Sequence, residues 1–433
     1  HRTPRNQQYA ITADVLPEPP PGDDWRADRV RAADVDGDGR TDLALLTAST
    51  TVPPAGRSGL RLLLNVADSG APGGRAFVDA TADRMAPARL TRRFGTTVDT
   101  VADDWRGRDL WIGDLDGDDG AVPELVVTGD APFREYAVHP GAYARLATGQ
   151  AAAYGMYWPA TRVFAWDAAA RNGAGRFRFR PDHLPRRQGV VVSLALGPPG
   201  ITLGTCNSTF RCEHTFTPFA GSALAVVDLD GDGRRDIAVV TPADVPHREP
   251  GSRELTTTSS LQVALGTAAG FDGWAMRDVT GGLEPLGVRG SVLAAGRTDP
   301  GAAHVLAVSD AAAGGTGVLR IIAADPDDTG FFEDVTDAVL SPLPAGDQGA
   351  AAALRFADLD RNGRDDLLLL ARESAGAGAA ALRVLRGVAT SSAPGWRLVP
   401  AYAAQIDALR AGDVLDGDAL AIGSVEMLGP ELR

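Results

Sequence analysis

The chain of 433 residues contains no lysine, and all 42 of its basic residues are arginines. This absence indicates a bias in the base composition of the gene and does not point to a function. The net charge of −14 disfavours binding to a nucleic-acid backbone. No apolar run approaches the roughly 20 residues that a membrane-spanning helix needs. We therefore expect neither a nucleic-acid partner nor a membrane span.

The sequence also lacks the common catalytic signatures. Its six histidines are scattered, and no metalloprotease, nucleophile-elbow, P-loop or dinucleotide-binding motif is present. Two pairs of acids, Asp23-Asp24 and Asp103-Asp104, each precede a tryptophan. They can be interpreted as paired catalytic carboxylates, but their equivalent places before two repeat units favour a structural corner. No catalytic residue is predicted.

Cysteine is nearly absent, with Cys206 and Cys212 as the only two. Two cysteines this close predict a small disulfide-closed loop in an oxidising compartment; a pair of free thiols is the alternative. The chain begins at His1 and shows no charged-then-apolar leader. We expect a processed protein that is secreted or lies at the cell surface.

What the sequence does contain is a repeated acidic loop that leads into a short apolar strand. In the first copy, Asp34-Val35-Asp36-Gly37-Asp38-Gly39-Arg40-Thr41-Asp42 precedes Leu43-Ala44-Leu45-Leu46. Complete copies lie at 228–236 and 358–366. A longer copy lies at 114–124 and an incomplete copy at 413–418. Four bound divalent cations would cancel more than half of the net charge, so the acidity is largely that of the loops.

The repeat unit has four β-strands. The loop joins the first two strands, a third strand follows, and the fourth often carries an apolar-Thr pair such as Ala80-Thr81 or Val335-Thr336. Four strands in roughly 45–60 residues is the blade of a β-propeller. The predicted blades are 25–85, 99–183, 220–283, 288–340 and 346–403. Residues 405–433 begin a further blade, which an N-terminal strand at 10–16 completes, so that no sheet edge is exposed.

The predicted fold is therefore all-β, a single β-propeller domain over 1–433 with six four-stranded blades; seven blades are the alternative.

Two insertions, 131–160 and 184–219, interrupt the array. Four of the six tyrosines lie in the first insertion. Because insertions in repeat arrays form loops that often bind partners, it is a candidate ligand surface; anchoring of the loop itself is the alternative. Its candidate residues are Tyr136, Tyr143, Tyr154, Tyr157 and Trp158.

Oxygen ligands at loop positions one, three, five, seven and nine form a cage that suits Ca²⁺, which takes 6–8 oxygens. Without a cation, four carboxylates so close would repel one another. An EF-hand is excluded because position twelve is Leu45, Val239 or Leu369 and not glutamate. The second loop provides Asp114, Asp116, Asp118 and Glu124; the copy with Asp413, Asp416 and Asp418 lacks the final acid. We expect three to five calcium ions.

These loops and the apolar-Thr strands resemble FG-GAP/VCBS repeats, as in integrin α-subunit propellers and bacterial surface proteins. The resemblance covers nearly the whole chain and implies calcium in hairpin loops on one rim, with partners engaged by other loops. The implied side-chain ligands are Asp34, Asp36, Asp38 and Asp42; Asp228, Asp230, Asp232 and Asp236; and Asp358, Asp360, Asn362 and Asp366. The implied backbone carbonyls are those of Arg40, Arg234 and Arg364.

We expect a secreted or cell-surface, calcium-stabilised propeller that serves as an adhesion or structural module for a protein or glycan. The first alternative is a propeller-type polysaccharide lyase or glycoside hydrolase. The second is a subunit of a larger extracellular assembly or filament. The fold itself does not decide among them.

Overall fold

The computed structural model describes the chain in segments that contain nearly all the predicted strands. The described residues are 16–18, 27–47, 59–68, 70, 74–85, 89–94, 97–102, 107–117, 122–129, 133–136, 152–157, 161–170, 175–180, 192–195, 221–241, 246–247, 256–257, 260–268, 275–279, 283, 286, 288, 290–299, 303–309, 318–325, 328, 331–342, 351–372, 380–391 and 395–401.

The described residues form β-strands and two helical turns. In the first half, the strands are β1 (Ala27–Ala33), β2 (Asp42–Thr47), β3 (Leu60–Ala67), β4 (Arg75–Asp79), β5 (Arg89–Phe94), β6 (Thr97–Ala102), β7 (Gly107–Gly113), β8 (Glu124–Gly129), β9 (Phe133–Tyr136), β10 (Ala152–Tyr157), β11 (Arg162–Asp167), β12 (Arg176–Phe179) and β13 (Val192–Ala195). In the second half they are β14 (Ala223–Val227), β15 (Asp236–Val240), β16 (Pro246–His247), β17 (Thr256–Thr257), β18 (Leu261–Thr267), β19 (Ala275–Asp278), β20 (Val292–Arg297), β21 (His304–Ser309), β22 (Leu319–Ala324), β23 (Phe332–Asp334), β24 (Ala351–Ala357), β25 (Asp366–Arg372), β26 (Ala380–Ala389) and β27 (Trp396–Pro400). The helical turns are α1 (Thr81–Arg84) and α2 (Thr336–Val339).

Five antiparallel sheets of four strands each contain most of these elements. In chain order, sheet one is β1-β2-β3-β4, sheet two β7-β8-β11-β12, sheet three β14-β15-β18-β19, sheet four β20-β21-β22-β23 and sheet five β24-β25-β26-β27. The prediction of an all-β fold with four-stranded repeat units is therefore confirmed for five units. Three smaller sheets lie outside the series: β5-β6, β16-β17 and β13-β10-β9.

The acidic loop joins the first two strands of sheets one, two, three and five, as predicted. In sheet one Ala33 pairs with Asp42 across the loop, and in sheet three Val227 pairs with Asp236. In sheet four Arg297 pairs with His304 at the same place, and the connection contains a single acid, Asp299. Each acidic loop thus ends on the first residue of a second strand.

Consecutive sheets pack face to face through layers of apolar side chains. The layer between sheets one and two includes Leu46, Leu62 and Phe177; further layers join two to three, three to four and four to five. The second strands are buried on both faces, as in the unbroken run Asp236–Val240, which explains why their sequences are continuous apolar runs and do not alternate.

The first strands of successive sheets contact one another, from β1 to β7, β14, β20 and β24. Asp109 on β7 joins three of them. Its Oδ1 accepts a hydrogen bond from Arg29 Nε at 3.0 Å, and its Oδ2 accepts the backbone N–H of Leu224 at 2.9 Å. Four-stranded sheets packed in series around their first strands are the arrangement found in a β-propeller.

Two local predictions need correction. The threonine of the apolar-Thr pair was predicted within the fourth strand, but Thr81 and Thr336 each begin a helical turn just after it. Thr81 Oγ1 accepts the backbone N–H of Leu62 on the third strand and donates to Asp79, so its hydroxyl fastens the end of the sheet. The second unit also begins later than predicted, because 97–102 pair with 89–94 in a separate hairpin and the sheet starts at Gly107.

Several predictions fall outside the described residues. These are the Cys206–Cys212 disulfide, the ligands Asp118, Asp413, Asp416 and Asp418, the aromatic residues Tyr143 and Trp158, and the closing segments 10–15 and 405–433. Neither of the two described helical turns has the length or hydrophobicity that crossing a membrane requires.

Candidate metal centres

Each acidic loop is wound around the carboxylate of its first residue. Asp34 accepts backbone N–H groups from Gly37 at 2.8 Å, Asp38 at 3.0 Å and Gly39 at 2.7 Å. Gly37 and Gly39 have φ angles of 77° and 81°, a conformation that glycine adopts without steric cost. Asp228 accepts from Gly231 and Gly233 in the same way, so the repeated sequence produces a repeated loop.

The ninth residue of the loop binds the neighbouring backbone with both carboxylate oxygens. Asp42 accepts the N–H of Val35 at 2.9 Å within the loop and that of Asn65 at 2.8 Å on the third strand. Equivalent pairs of bonds are made by Asp236, to Leu229 and Gly266, and by Asp366, to Leu359 and Gly387. In sheet two, Glu124 accepts the N–H of Leu115 at 2.9 Å.

Three of the loops bring three carboxylates together. In each, one oxygen per residue lies within 4.8 Å of the other two. The clusters are Asp34, Asp36 and Asp38 in sheet one; Asp114, Asp116 and Glu124 in sheet two; and Asp228, Asp230 and Asp236 in sheet three. The sequence analysis named all nine of these residues. The structure does not place Asp42 or Asp232 within the clusters of their own loops.

Three carboxylates of the first and third loops, Asp36, Asp42 and Asp236, lie where a negative charge is unfavourable. Burial, with the charges of Asp38 and Asp34 adding to it, raises the pKa of Asp36. Burial also raises the pKa of Asp42, and that of Asp236 to about 7, although each accepts two backbone N–H groups that favour the ionised form. A cation among these groups would remove the penalty.

One oxygen in the first cluster provides a specific test of whether a metal fits. Oδ1 of Asp36 is buried and accepts no hydrogen bond, while Oδ2 lies 3.7 Å from Nη2 of Arg84. Buried carboxylate oxygens without a partner are rare in folded proteins. The donor set consists of hard oxygens, with glycine-bearing backbone wrapped around them, which suits Ca²⁺ better than a softer metal. The residues present therefore fit calcium.

Arginine side chains approach the fifth position of two loops, which the sequence analysis did not anticipate. Arg40 pairs with Asp38, and Arg234 Nη1 lies 3.0 Å from Oδ2 of Asp232. Only the backbone carbonyls of these arginines were predicted to take part. The repeated spacing of Asp-Gly-Arg in both loops was the available signal.

The loop of sheet five differs from the other three. Asp358, Asp360 and Asp366 do not form a three-carboxylate cluster of the kind seen in sheets one to three. Nη2 of Arg386 on β26 donates to Oδ2 of Asp360, and Nδ2 of Asn362 donates to the carbonyl of Gly387 at 3.0 Å. The metal site predicted from Asp358, Asp360, Asn362 and Asp366 stays a prediction.

The two insertions meet in the sheet β13-β10-β9. Strand β10 of the first insertion pairs with β9 on one side and with β13 of the second insertion on the other. Tyr154 lies opposite Tyr136 and also opposite Ser193, whereas Tyr157 lies opposite Phe133. The register therefore pairs the backbone of Tyr154 with that of Tyr136, three positions before the pair of Tyr157 with Phe133.

Comparison with known proteins identifies the repeat at one place. Residues 220–251, which contain the loop of sheet three, match the family model of the FG-GAP repeat. A search of curated proteins finds no match to the chain. The FG-GAP repeat recognised from the acidic loops is therefore confirmed for the loop of sheet three.

Proposed function

We propose that this FG-GAP repeat protein is a calcium-stabilised β-propeller that serves as a binding module outside the cell. The observation that carries the calcium proposal is the three-carboxylate cluster, which recurs at the same loop of sheets one, two and three. Asp34, Asp36 and Asp38 would hold one ion, Asp114, Asp116 and Glu124 a second, and Asp228, Asp230 and Asp236 a third. Bound calcium would neutralise the loops and fix their ends.

We propose six blades, with the ring closed between sheets five and one. Leu45 and Leu63 of sheet one are 5% and 0% exposed, yet they belong to none of the layers between consecutive sheets. Leu368 and Val384 of sheet five are 8% and 5% exposed and lie outside the layer shared with sheet four. Burial of the outward faces of both terminal sheets supports a closing blade formed by residues 10–16 and 405–433.

The partner, in this proposal, binds at the sheet β13-β10-β9. The two insertions join in one sheet outside the repeat series, and its strands contain Tyr136, Tyr154 and Tyr157. Tyrosine combines an aromatic ring with a hydroxyl group, which suits a glycan or a polar protein surface. We propose a secreted or cell-surface location, where calcium at millimolar concentration would fill such sites even at low affinity.

Two experiments test the proposal. Bound calcium is counted by elemental analysis for the wild type and Asp230→Ala; loss of one ion with lowered stability is expected, and no bound metal in either would refute the calcium sites. Binding is measured on a glycan array alongside a reducing-sugar assay, with Tyr136→Ala, Tyr154→Ala and Tyr157→Ala as variants. Release of reducing ends would favour a carbohydrate-active enzyme over a binding module.

A further inference from the structure

The acidic loop of sheet five is approached by an arginine from the third strand of its sheet, Arg386. Position five is the neutral Asn362, and position four is Arg361, with a φ of 58° where the other loops have glycine. The guanidinium of Arg386 reaches Asp360 from the third strand. At positions one, three, five and nine this loop has three carboxylates, whereas the loops of sheets one and three each have four. Guanidinium groups also approach the loops of sheets one and three, but they belong to Arg40, Arg84 and Arg234 and not to the third strand.

The strand register shows which residue of the other sheets corresponds to Arg386. The residue that donates its backbone N–H to the ninth acid is Asn65, Gly266 or Gly387. The residue before it is therefore Leu64 in sheet one, Leu265 in sheet three and Arg386 in sheet five. In sheet two, continuing the register by one residue puts Ala165 opposite Glu124.

The side chain at the third-strand position of Leu64, Leu265 and Arg386 differs between the loops with a three-carboxylate cluster and the loop without one. Leu64 and Leu265 are buried in the apolar layers between sheets, and their loops have the three-carboxylate cluster. Arg386 turns to Asp360, and its loop lacks the cluster. A divalent ion placed between Asp358, Asp360 and Asp366 would be repelled by the guanidinium and would have to compete with it for Asp360.

From this correspondence we infer that Arg386 takes the place of the cation in sheet five, so that the 358–366 loop folds without calcium. The inference rests on the calcium sites proposed for sheets one to three. It makes Arg386 the residue that keeps calcium from the loop of sheet five, although the Asp358, Asp360 and Asp366 carboxylates are retained.

The test counts calcium bound to the full chain after removal of metal and dialysis against calcium of known concentration. Arg386→Leu, which introduces the residue found in sheets one and three, is expected to bind one more ion per chain than the wild type. The matched control is Arg383→Leu, which removes the same charge from an exposed position of the same strand; its count is expected to equal that of the wild type. An unchanged count in folded Arg386→Leu would overturn the inference.

A second variant covers the case in which Arg386→Leu does not fold. Asp360→Ala in the wild-type background is expected to leave the calcium count unchanged, because Asp360 binds Arg386 and not a metal. A count that falls by one would overturn the inference while leaving the proposed function intact. A wild-type count of zero would overturn the proposed function as well.

Discussion

Oδ1 of Asp236 accepts the backbone N–H of Gly266 at 2.8 Å, although the two residues are 30 positions apart. Oδ2 of the same carboxylate accepts the N–H of Leu229 at the start of the loop. One side chain therefore fixes the loop, the second strand and the third strand to one another. The same arrangement recurs at Asp42 and Asp366, so the ninth acid organises the hairpin whether or not a cation is bound.

Asp236→Ala is therefore expected to destabilise the protein even without calcium. The substitution leaves the N–H groups of Leu229 and Gly266 without acceptors in a buried place, and each such group costs about 1–3 kcal/mol. Loss of a desolvated charge offsets part of this, so we expect a net loss of roughly 2 kcal/mol. Urea denaturation in EDTA measures it.

Asp232→Ala is the matched control, because Asp232 belongs to the same loop but pairs with the partly exposed Arg234. Exposed ion pairs contribute about 0–1 kcal/mol. Equal losses for Asp232→Ala and Asp236→Ala in EDTA would show that the ninth acid has no special structural role.

Stability of the calcium-free protein is expected to rise as the pH falls from about 8 to 5. Burial raises the pKa of Asp236 to about 7 and that of Asp366 to about 6, above the value near 3.9 expected in the unfolded chain. The folded state then binds more protons than the unfolded state between these values, so stability falls as the pH rises through them. Thermal melts in EDTA across this range measure the slope.

Calcium is expected to act in the opposite direction, because protons compete with it for the same carboxylates. The increase in melting temperature that calcium produces should shrink as the pH falls below 7. Calorimetric titrations at pH 6.5 in buffers of different ionisation enthalpy should report protons released on binding. A calcium effect that is the same at pH 5 and pH 8 would contradict the pKa directions given above.

Thr336→Val tests whether the hydroxyl of Thr336 stabilises the end of the fourth strand. Oγ1 of Thr336 accepts the backbone N–H of Ile321 at 2.8 Å and donates to Asp334. Valine keeps the shape and removes both bonds, for an expected loss of about 1–3 kcal/mol. Thr336→Ser keeps the hydroxyl and is expected to lose less. If serine and valine destabilise equally in urea, the hydroxyl is not what stabilises this turn.

Gly296→Ala tests the close approach of the first strands of sheets four and five. A Cβ at position 296 would lie 2.2 Å from Cγ of Phe356 on β24. The ring belongs to the layer between the sheets, so the clash should cost about 1–3 kcal/mol. Phe356→Ala removes Cγ and the ring, so it should cost less stability in the Gly296→Ala background than in the wild type. Two losses that simply add would show that the residues do not meet.

Much of the fold could be predicted because each repeat combines two strong local signals. An Asp-rich, Gly-containing loop specifies a turn, and an apolar run such as Leu43–Leu46 specifies a buried strand. The carboxylates of the three clusters could be predicted for the same reason, since the alternate acids at the start of a loop and the acid at its end lie close in space when the loop closes. Which acid completes each cluster, Asp38 in sheet one but Asp236 in sheet three, could not be predicted from the sequence.

The remaining features depend on contacts between distant parts of the chain. Nothing near 358–366 shows that Arg386, more than 20 residues later, turns to Asp360, and nothing in either insertion shows that β10 pairs with β13. The sequence analysis put Thr81 inside the fourth strand because an Ala-Thr pair is typical of a strand. In the structure, hydrogen bonds of its hydroxyl with Asp79 and with the backbone N–H of Leu62 hold Thr81 in the turn that follows the strand.

The central claim is that the loops of sheets one, two and three bind calcium and stabilise the propeller. Calcium titration of the metal-free wild type, followed by calorimetry and by thermal unfolding, tests it most directly. We predict three ions per chain and a melting temperature that rises with calcium, each site adding about 2.7 kcal/mol at a calcium concentration 100 times its Kd. No bound metal, together with the same melting temperature in calcium and in EDTA, would contradict the claim.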